Sequence, residues 1–278
     1  MTIHRVSPYK TRLDKGNAYW MAQLASQSYI KETNSVKPSV KPDKVKILEN
    51  LKKIDDEFIE VYSFDEHSSQ AILVDHQKYF CMAFRGTDQL IDWIDNINAF
   101  PVKQLFGEFH RGFWNSVEAI WDQIYNQYKR LNNLKVRKPL FLTGHSLGGA
   151  MAVIAGSKLI HVDEPFTNIY TFGQPRVMTR NTARIFNIES KTRCFRFNNN
   201  NDLVTRAPSR LMGYSHVGTY LHILEDGTIE QELGFWHQFI DSFYGAIESL
   251  KEKGIDGVED HDMGKYLDAI TNWKFRDR

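Results

Sequence analysis

Leu140-Phe141-Leu142-Thr143-Gly144-His145-Ser146-Leu147-Gly148-Gly149 is the stretch from which the architecture can be read. Residues 140–143 form a short apolar run of strand character, and residues 147–159 read as a helix. Between them lies the pattern glycine-x-serine-x-glycine at 144–148. In that setting the pattern reads as a nucleophile elbow, a tight strand-to-helix turn that strains the serine and lifts its Oγ above a sheet. A side chain at 144 or 148 would collide with the turn, hence the glycines. The helix N-terminus adds partial positive charge beside Ser146. The competing reading is a glycine-rich turn without chemistry.

Working outward, residues 168–172 read as a strand, 181–186 as a short helix and 192–197 as a strand. Alternating strands and helices imply a mostly parallel sheet covered on both faces. Upstream, three runs rich in Val, Ile, Phe and Tyr at 58–64, 70–75 and 78–84 are closely spaced, which makes them an antiparallel meander. A helix follows over 112–131, with Phe113, Val117, Ile120, Ile124 and Tyr128 recurring every three to four residues. A first helix is expected at 17–30, then a loop over 34–46 carrying Pro38 and Pro42. Asp226-Gly227 signals a hairpin between 218–224 and 228–233, and a last helix is expected at 236–250. The expectation is one α/β domain over residues 1–278. Its central sheet is mostly parallel, with antiparallel strands at the ends and helices on both faces.

Composition narrows the function classes. Of the 278 residues, 42% are hydrophobic and 25% charged, which excludes a disordered or collagen-like chain. Lys and Arg (35) nearly balance Asp and Glu (34), so nothing advertises a nucleic-acid partner or a polybasic membrane surface. No window holds 18 apolar residues, so no transmembrane segment is expected. Residues 1–12 carry charges and no apolar signal core, which leads to the expectation of a cytoplasmic protein. Cys81 and Cys194 are too few for a disulfide framework or a four-thiolate zinc site and read as buried reduced thiols.

A serine nucleophile needs a base, and the base needs an orienting carboxylate. For this elbow the chain order is serine, acid, histidine. His216, His222, His237 and His261 follow with room for an acid between. His216 and His222 flank a strand, His237 opens a helix, and His261 lies in a late polar segment that can return over the sheet. Asp202 follows a strand in Asn198-Asn199-Asn200-Asn201-Asp202, the carboxyl-end position where sites of parallel sheets lie; Asp241 and Asp256 compete. The oxyanion donors are expected from the Leu147 N–H and from the turn Arg85-Gly86-Thr87, where Thr87 offers an N–H and a hydroxyl. Thr87 could instead cap the next helix. There Leu90, Trp93, Ile94 and Ile97 recur at helical spacing, with Asp88, Asp92 and Asp95 on other faces. That stripe is either a packed helix or a lid that turns its apolar face to lipid.

Phe84-Arg85-Gly86-Thr87, Trp93, His110-Arg111-Gly112-Phe113 and 144–149 together resemble the class 3, fungal-type lipases of the α/β-hydrolase superfamily. Gly173-Gln174-Pro175-Arg176-Val177 and 201–208 are similar to that family's strand-end and acid segments. Ser215-His216-Val217-Gly218 resembles the stretch beyond, and 261–266 the histidine segment of its bacterial-type members. The resemblance implies Ser146 as nucleophile, Asp202 as acid and His261 as base. It implies an oxyanion hole from Thr87 and Leu147, and a lid including Leu90, Trp93, Ile94 and Ile97 that makes transient contact with a lipid interface. It also implies a sheet order that separates the Cys81 and Cys194 strands by two others and leaves the pair unbridged. The implied activity is hydrolysis of acylglycerol esters through an acyl-enzyme, with no metal or cofactor. The alternatives are an esterase, phospholipase or galactolipase of the same mechanism, and a non-catalytic binding module.

Overall fold

The computed structural model describes residues 4–33, 40–87, 100–134, 137–231 and 259–277. The chain opens with α1 (Lys15–Gln27) and α2 (Lys44–Lys52), then β1 (Phe58–Glu66), β2 (Ser69–His76) and β3 (Phe80–Phe84). A hairpin of β4 (Pro101–Gln104) and β5 (Gly107–His110) leads into α3 (Arg111–Leu134). Next come β6 (Leu140–His145), α4 (Leu147–His161), β7 (Asn168–Phe172), β8 (Met178–Thr179), α5 (Arg180–Ser190) and β9 (Cys194–Asn199). The chain ends through β10 (Tyr214–Ser215), β11 (Thr219–Ile223), β12 (Thr228–Gln231), α6 (Met263–Asn272) and β13 (Lys274–Asp277).

Among the described residues the main sheet runs β1-β2-β3-β6-β7-β9-β11-β12-β13. Its five middle strands, β3 to β11, are parallel. β1 and β2 form the expected meander with β3, and β12 turns back antiparallel at the other end. The architecture is thus the mostly parallel α/β sheet with antiparallel ends. Residues of β3 alternate between two cores, as a strand buried on both faces must. Phe80, Met82 and Phe84 pack with α3 and α4, whereas Cys81 and Ala83 pack with α1, α2 and α6. β6 and β7 separate the Cys81 and Cys194 strands, and both thiols are free and buried.

Several boundaries differ from the sequence reading. α1 starts earlier because Asp14 caps it, its carboxylate accepting from the Asn17 N–H at 3.0 Å. It also ends earlier, freeing Tyr29 to reach toward the sheet. β3 begins at Phe80 because a tight turn precedes it, with the His76 N–H bonded to the Tyr79 carbonyl at 3.0 Å. α2, the α6–β13 tail and a second, four-stranded sheet, β10-β8-β5-β4, stand where no elements are expected. The last helix expected at 236–250 and the stripe of Leu90, Trp93, Ile94 and Ile97 lie outside the described residues. No helix among the described residues is long and apolar enough to cross a membrane.

Candidate active site

Ser146 sits between β6 and α4 at φ 59°, ψ −129°, a backbone conformation that side-chain-bearing residues rarely adopt. Crowding enforces it. A Cβ on Gly144 would lie 2.2 Å from the Gly148 carbonyl oxygen, and one on Gly148 would lie 2.1 Å from that of Phe84. The Ser146 N–H donates to the Phe172 carbonyl at 2.9 Å, tying the turn to β7. The Ser146 carbonyl accepts from Gly149 and Ala150, which opens α4 immediately after the serine and puts the Leu147 N–H in its first turn. The turn after β3 leans on this elbow. A Cβ on Gly86 would come 3.0 Å from Ser146 Cβ, and half-buried Thr87 follows it.

Asp202 follows β9 and is buried. Its Oδ1 accepts from the Val204 N–H at 2.9 Å. Its Oδ2 accepts from His261 Nδ1 at 2.8 Å and from the Tyr266 hydroxyl at 2.5 Å. His261 is thereby held with its proton on Nδ1, which leaves the Nε2 lone pair open. Nε2 and Ser146 Oγ are both buried and have no hydrogen-bond partner among the described residues.

His261 stands just before α6, and two ties fix it there. Asp262 caps the helix through Gly264 and Lys265. Asp260 is gripped by the asparagine run: its carbonyl accepts from Asn199 Nδ2 at 2.9 Å and its carboxylate from Asn200 Nδ2 at 3.0 Å. The asparagines preceding Asp202 therefore bind the segment that delivers the histidine.

Sequence reasoning missed a layer beneath this pair. His145 is buried, with its ring 4.4 Å from that of His261. Its Nε2 donates to the His261 carbonyl at 2.7 Å, so Nδ1 is the acceptor for the Tyr29 hydroxyl at 2.8 Å. Burial, reinforced by nearby His261, holds its pKa well below the ordinary histidine value and keeps the ring neutral. Tyr266 is the other omission. It accepts the Asn199 N–H at 2.9 Å while donating to Asp202, and burial beside that carboxylate pushes its own pKa up. Neither partner adjoins its target in the chain, so no local motif signals them.

The competing histidines bond elsewhere: His216 Nε2 to the Thr205 carbonyl at 2.8 Å, and His222 Nε2 to that of Asn200 at 3.2 Å. His237, Asp241 and Asp256 lie outside the described residues. Asp55, Glu57 and His76 are a described cluster close enough to share a metal ion. His76 Nδ1, however, accepts the Lys78 N–H at 3.1 Å, so its Nε2 carries the proton and faces Asp55 at 3.4 Å. That leaves no imidazole lone pair for a metal.

The model of the family described as Lipase (class 3) matches residues 81–212, a span that includes Thr87, Ser146 and Asp202. That span is 132 of the 278 residues, and over it the chain is similar to the class 3 lipases. Among its relatives, the secreted mono- and diacylglycerol lipase A of Penicillium cyclopium is 31% identical over 150 residues, covering 52% of this chain and 48% of that protein. Phospholipase A1-II 1 of Oryza sativa is 28% identical over 167 residues, covering 51% and 42%. The chain thus matches about half the length of such curated relatives. The structure of Rhizomucor miehei triacylglyceride lipase superposes with a TM-score of 0.64 at 21% identity, covering 76% of this chain and 80% of that one, and so shares its fold. The expectation of a cytoplasmic protein is corrected here. Relatives from Penicillium and Fusarium are named as secreted lipases, which points to an extracellular location.

Proposed function

We propose that this chain is a class 3 lipase, a serine carboxylester hydrolase acting on acylglycerols, with residues 1–278 working as one domain. The observation that carries the reading is the buried 2.8 Å bond between His261 Nδ1 and Asp202 Oδ2, formed beside an elbow serine held at positive φ. Ser146 Oγ attacks the ester carbonyl while His261 Nε2 takes its proton. Asp202 keeps the imidazole in the correct tautomer and stabilises the imidazolium. The tetrahedral oxyanion is met by the Leu147 N–H and by Thr87, and it is strongest near the transition state, where those donors matter most. His261 then protonates the departing alcohol. Water cleaves the acyl-enzyme by the same route in reverse. No step needs a metal or cofactor.

The apolar stripe Leu90, Trp93, Ile94 and Ile97 supports a finer reading, in which this segment is a lid that meets the lipid interface. A phospholipase of the same mechanism is the second reading, favoured by the likeness to the rice phospholipase. Release of fatty acid from emulsified mono-, di- and triacylglycerols, compared with release from phosphatidylcholine vesicles, separates the two. Acylglycerol turnover should exceed phospholipid turnover; the reverse order favours the second reading, and no release from either class rejects both.

A further inference from the structure

A cavity lies at the end of the sheet away from the triad candidates. It holds about 590 Å³, within the range of small-molecule sites. It opens where β9 and β11 begin, at Thr192 and Thr219, whereas Asp202 follows the end of β9. The length of β9, about 17 Å, therefore separates it from the triad.

Its lining has two characters. Leu13, Phe195, Trp273 and Phe275 form an apolar wall, in which the Trp273 and Phe275 rings stack at 5.6 Å. Lys10, Arg12 and Lys15 supply three cations against one carboxylate, Asp14. That carboxylate is already occupied: Lys10 Nζ bonds one oxygen at 2.8 Å and the Asn17 N–H bonds the other at 3.0 Å. Arg12 and Lys15 thus leave the cavity with a net positive rim beside an aromatic interior.

Trp273 is a second, independent sign. It ends α6 in the left-handed conformation, φ 37°, ψ 69°, where glycine is the usual residue. A large aromatic side chain is kept at a position whose backbone favours none, and its ring forms the cavity wall. Strain of this kind points to a use for the side chain.

We propose that this cavity binds a single-chain anionic amphiphile, a fatty-acid carboxylate whose head pairs with Arg12 and Lys15 and whose chain lies against Leu13, Phe195, Trp273 and Phe275. A guanidinium fork suits a carboxylate, and the aromatic wall suits an alkyl chain. The assignment rests on the lining alone and does not need the chain to hydrolyse esters.

Equilibrium dialysis of the full chain with laurate below its micelle concentration tests it. The intact protein is compared with Arg12→Glu/Lys15→Glu and with Trp273→Gly. Arg12 and Lys15 are exposed, and a glutamate in the first turn of α1 suits the helix dipole, so the fold should survive. Trp273→Gly relieves the left-handed strain. Each variant should lose one equivalent of bound laurate, its affinity there falling at least tenfold. Hydrolysis of a short soluble ester should stay within twofold of whatever the intact protein shows. Laurate held at the triad is common to all three proteins and cancels. Unchanged stoichiometry in both variants would overturn the site, as would equal displacement by dodecyltrimethylammonium. Tighter, Arg12-dependent binding of dodecyl phosphate would overturn the fatty-acid assignment.

Discussion

Gly173 measures how tightly the His261–Asp202 pair is held. It lies just past β7 at φ +60°, with its N–H donated to the Phe197 carbonyl at 3.1 Å. A Cβ there would sit 2.7 Å from His261 Cε1 and 2.8 Å from both His261 Nδ1 and Asp202 Oδ2. All three are about 0.6–0.7 Å inside ordinary contact. In Gly173→Ala the methyl must therefore push apart the two groups whose own bond is 2.8 Å. Displacements near 1 Å at a reacting centre cost about 10²-fold, so kcat on a soluble ester should fall on the order of 30- to 100-fold. Alanine in the left-handed region also costs about 1 kcal/mol of stability. Gly227→Ala is the control: its φ is +78° and nothing lies within 4 Å, so it carries the backbone cost alone. Steady-state kinetics and urea unfolding of both variants separate the two effects. If Gly173→Ala keeps kcat as well as Gly227→Ala does, the geometric argument about the pair is wrong.

Three further outcomes are expected. Tyr266→Phe removes a bond to the Asp202 carboxylate and strands the buried Asn199 N–H, so unfolding should become easier by about 3–5 kcal/mol; a loss below about 1 kcal/mol would show the hydroxyl to be incidental. Burial pushes the His110 pKa down to about 4, below its value in the unfolded chain. The unfolded state then binds the extra proton first, so this residue's contribution is full above pH ~6.5 and is lost at about 1.4 kcal/mol per unit as pH falls toward 4. Between pH 6.5 and 5 a His110→Gln variant should lose about 2 kcal/mol less than the wild type; identical slopes would contradict this. Thr87→Val should lower kcat about 10²-fold with KM little changed if its hydroxyl meets the proposed oxyanion near the transition state; an unchanged kcat with a stability loss near 1 kcal/mol would make Thr87 a helix cap only.

What was legible in the sequence is what local sterics and periodicity determine. The elbow is such a case: Gly144 and Gly148 are dictated by backbone atoms within a few residues or on the adjoining strand. The two-sided burial of β3 and β6 makes them continuous apolar runs that stand out. The antiparallel hairpin β4–β5 does not stand out, because its four-residue strands are half exposed and pair onward through β8, two residues long. α6 is a ten-residue helix whose buried face meets α1 and β9, elements far away in the chain. The support for the triad candidates is non-local in the same sense. Tyr29 reaches His145 across 116 positions, and Asn199 reaches Asp260 across 61. The fungal-type resemblance supplied His261 over its competitors; spacing alone left four histidines open.

The central claim is that Ser146 is the nucleophile. The direct measurement is intact-mass and peptide mapping of the chain after a fluorophosphonate ester, alongside ester hydrolysis by Ser146→Ala. One adduct per chain on Ser146, no adduct on the variant, and a fall in turnover of about 10⁴-fold or more with the fold retained are expected. An adduct on another residue, or a variant keeping a tenth of wild-type turnover, would contradict it.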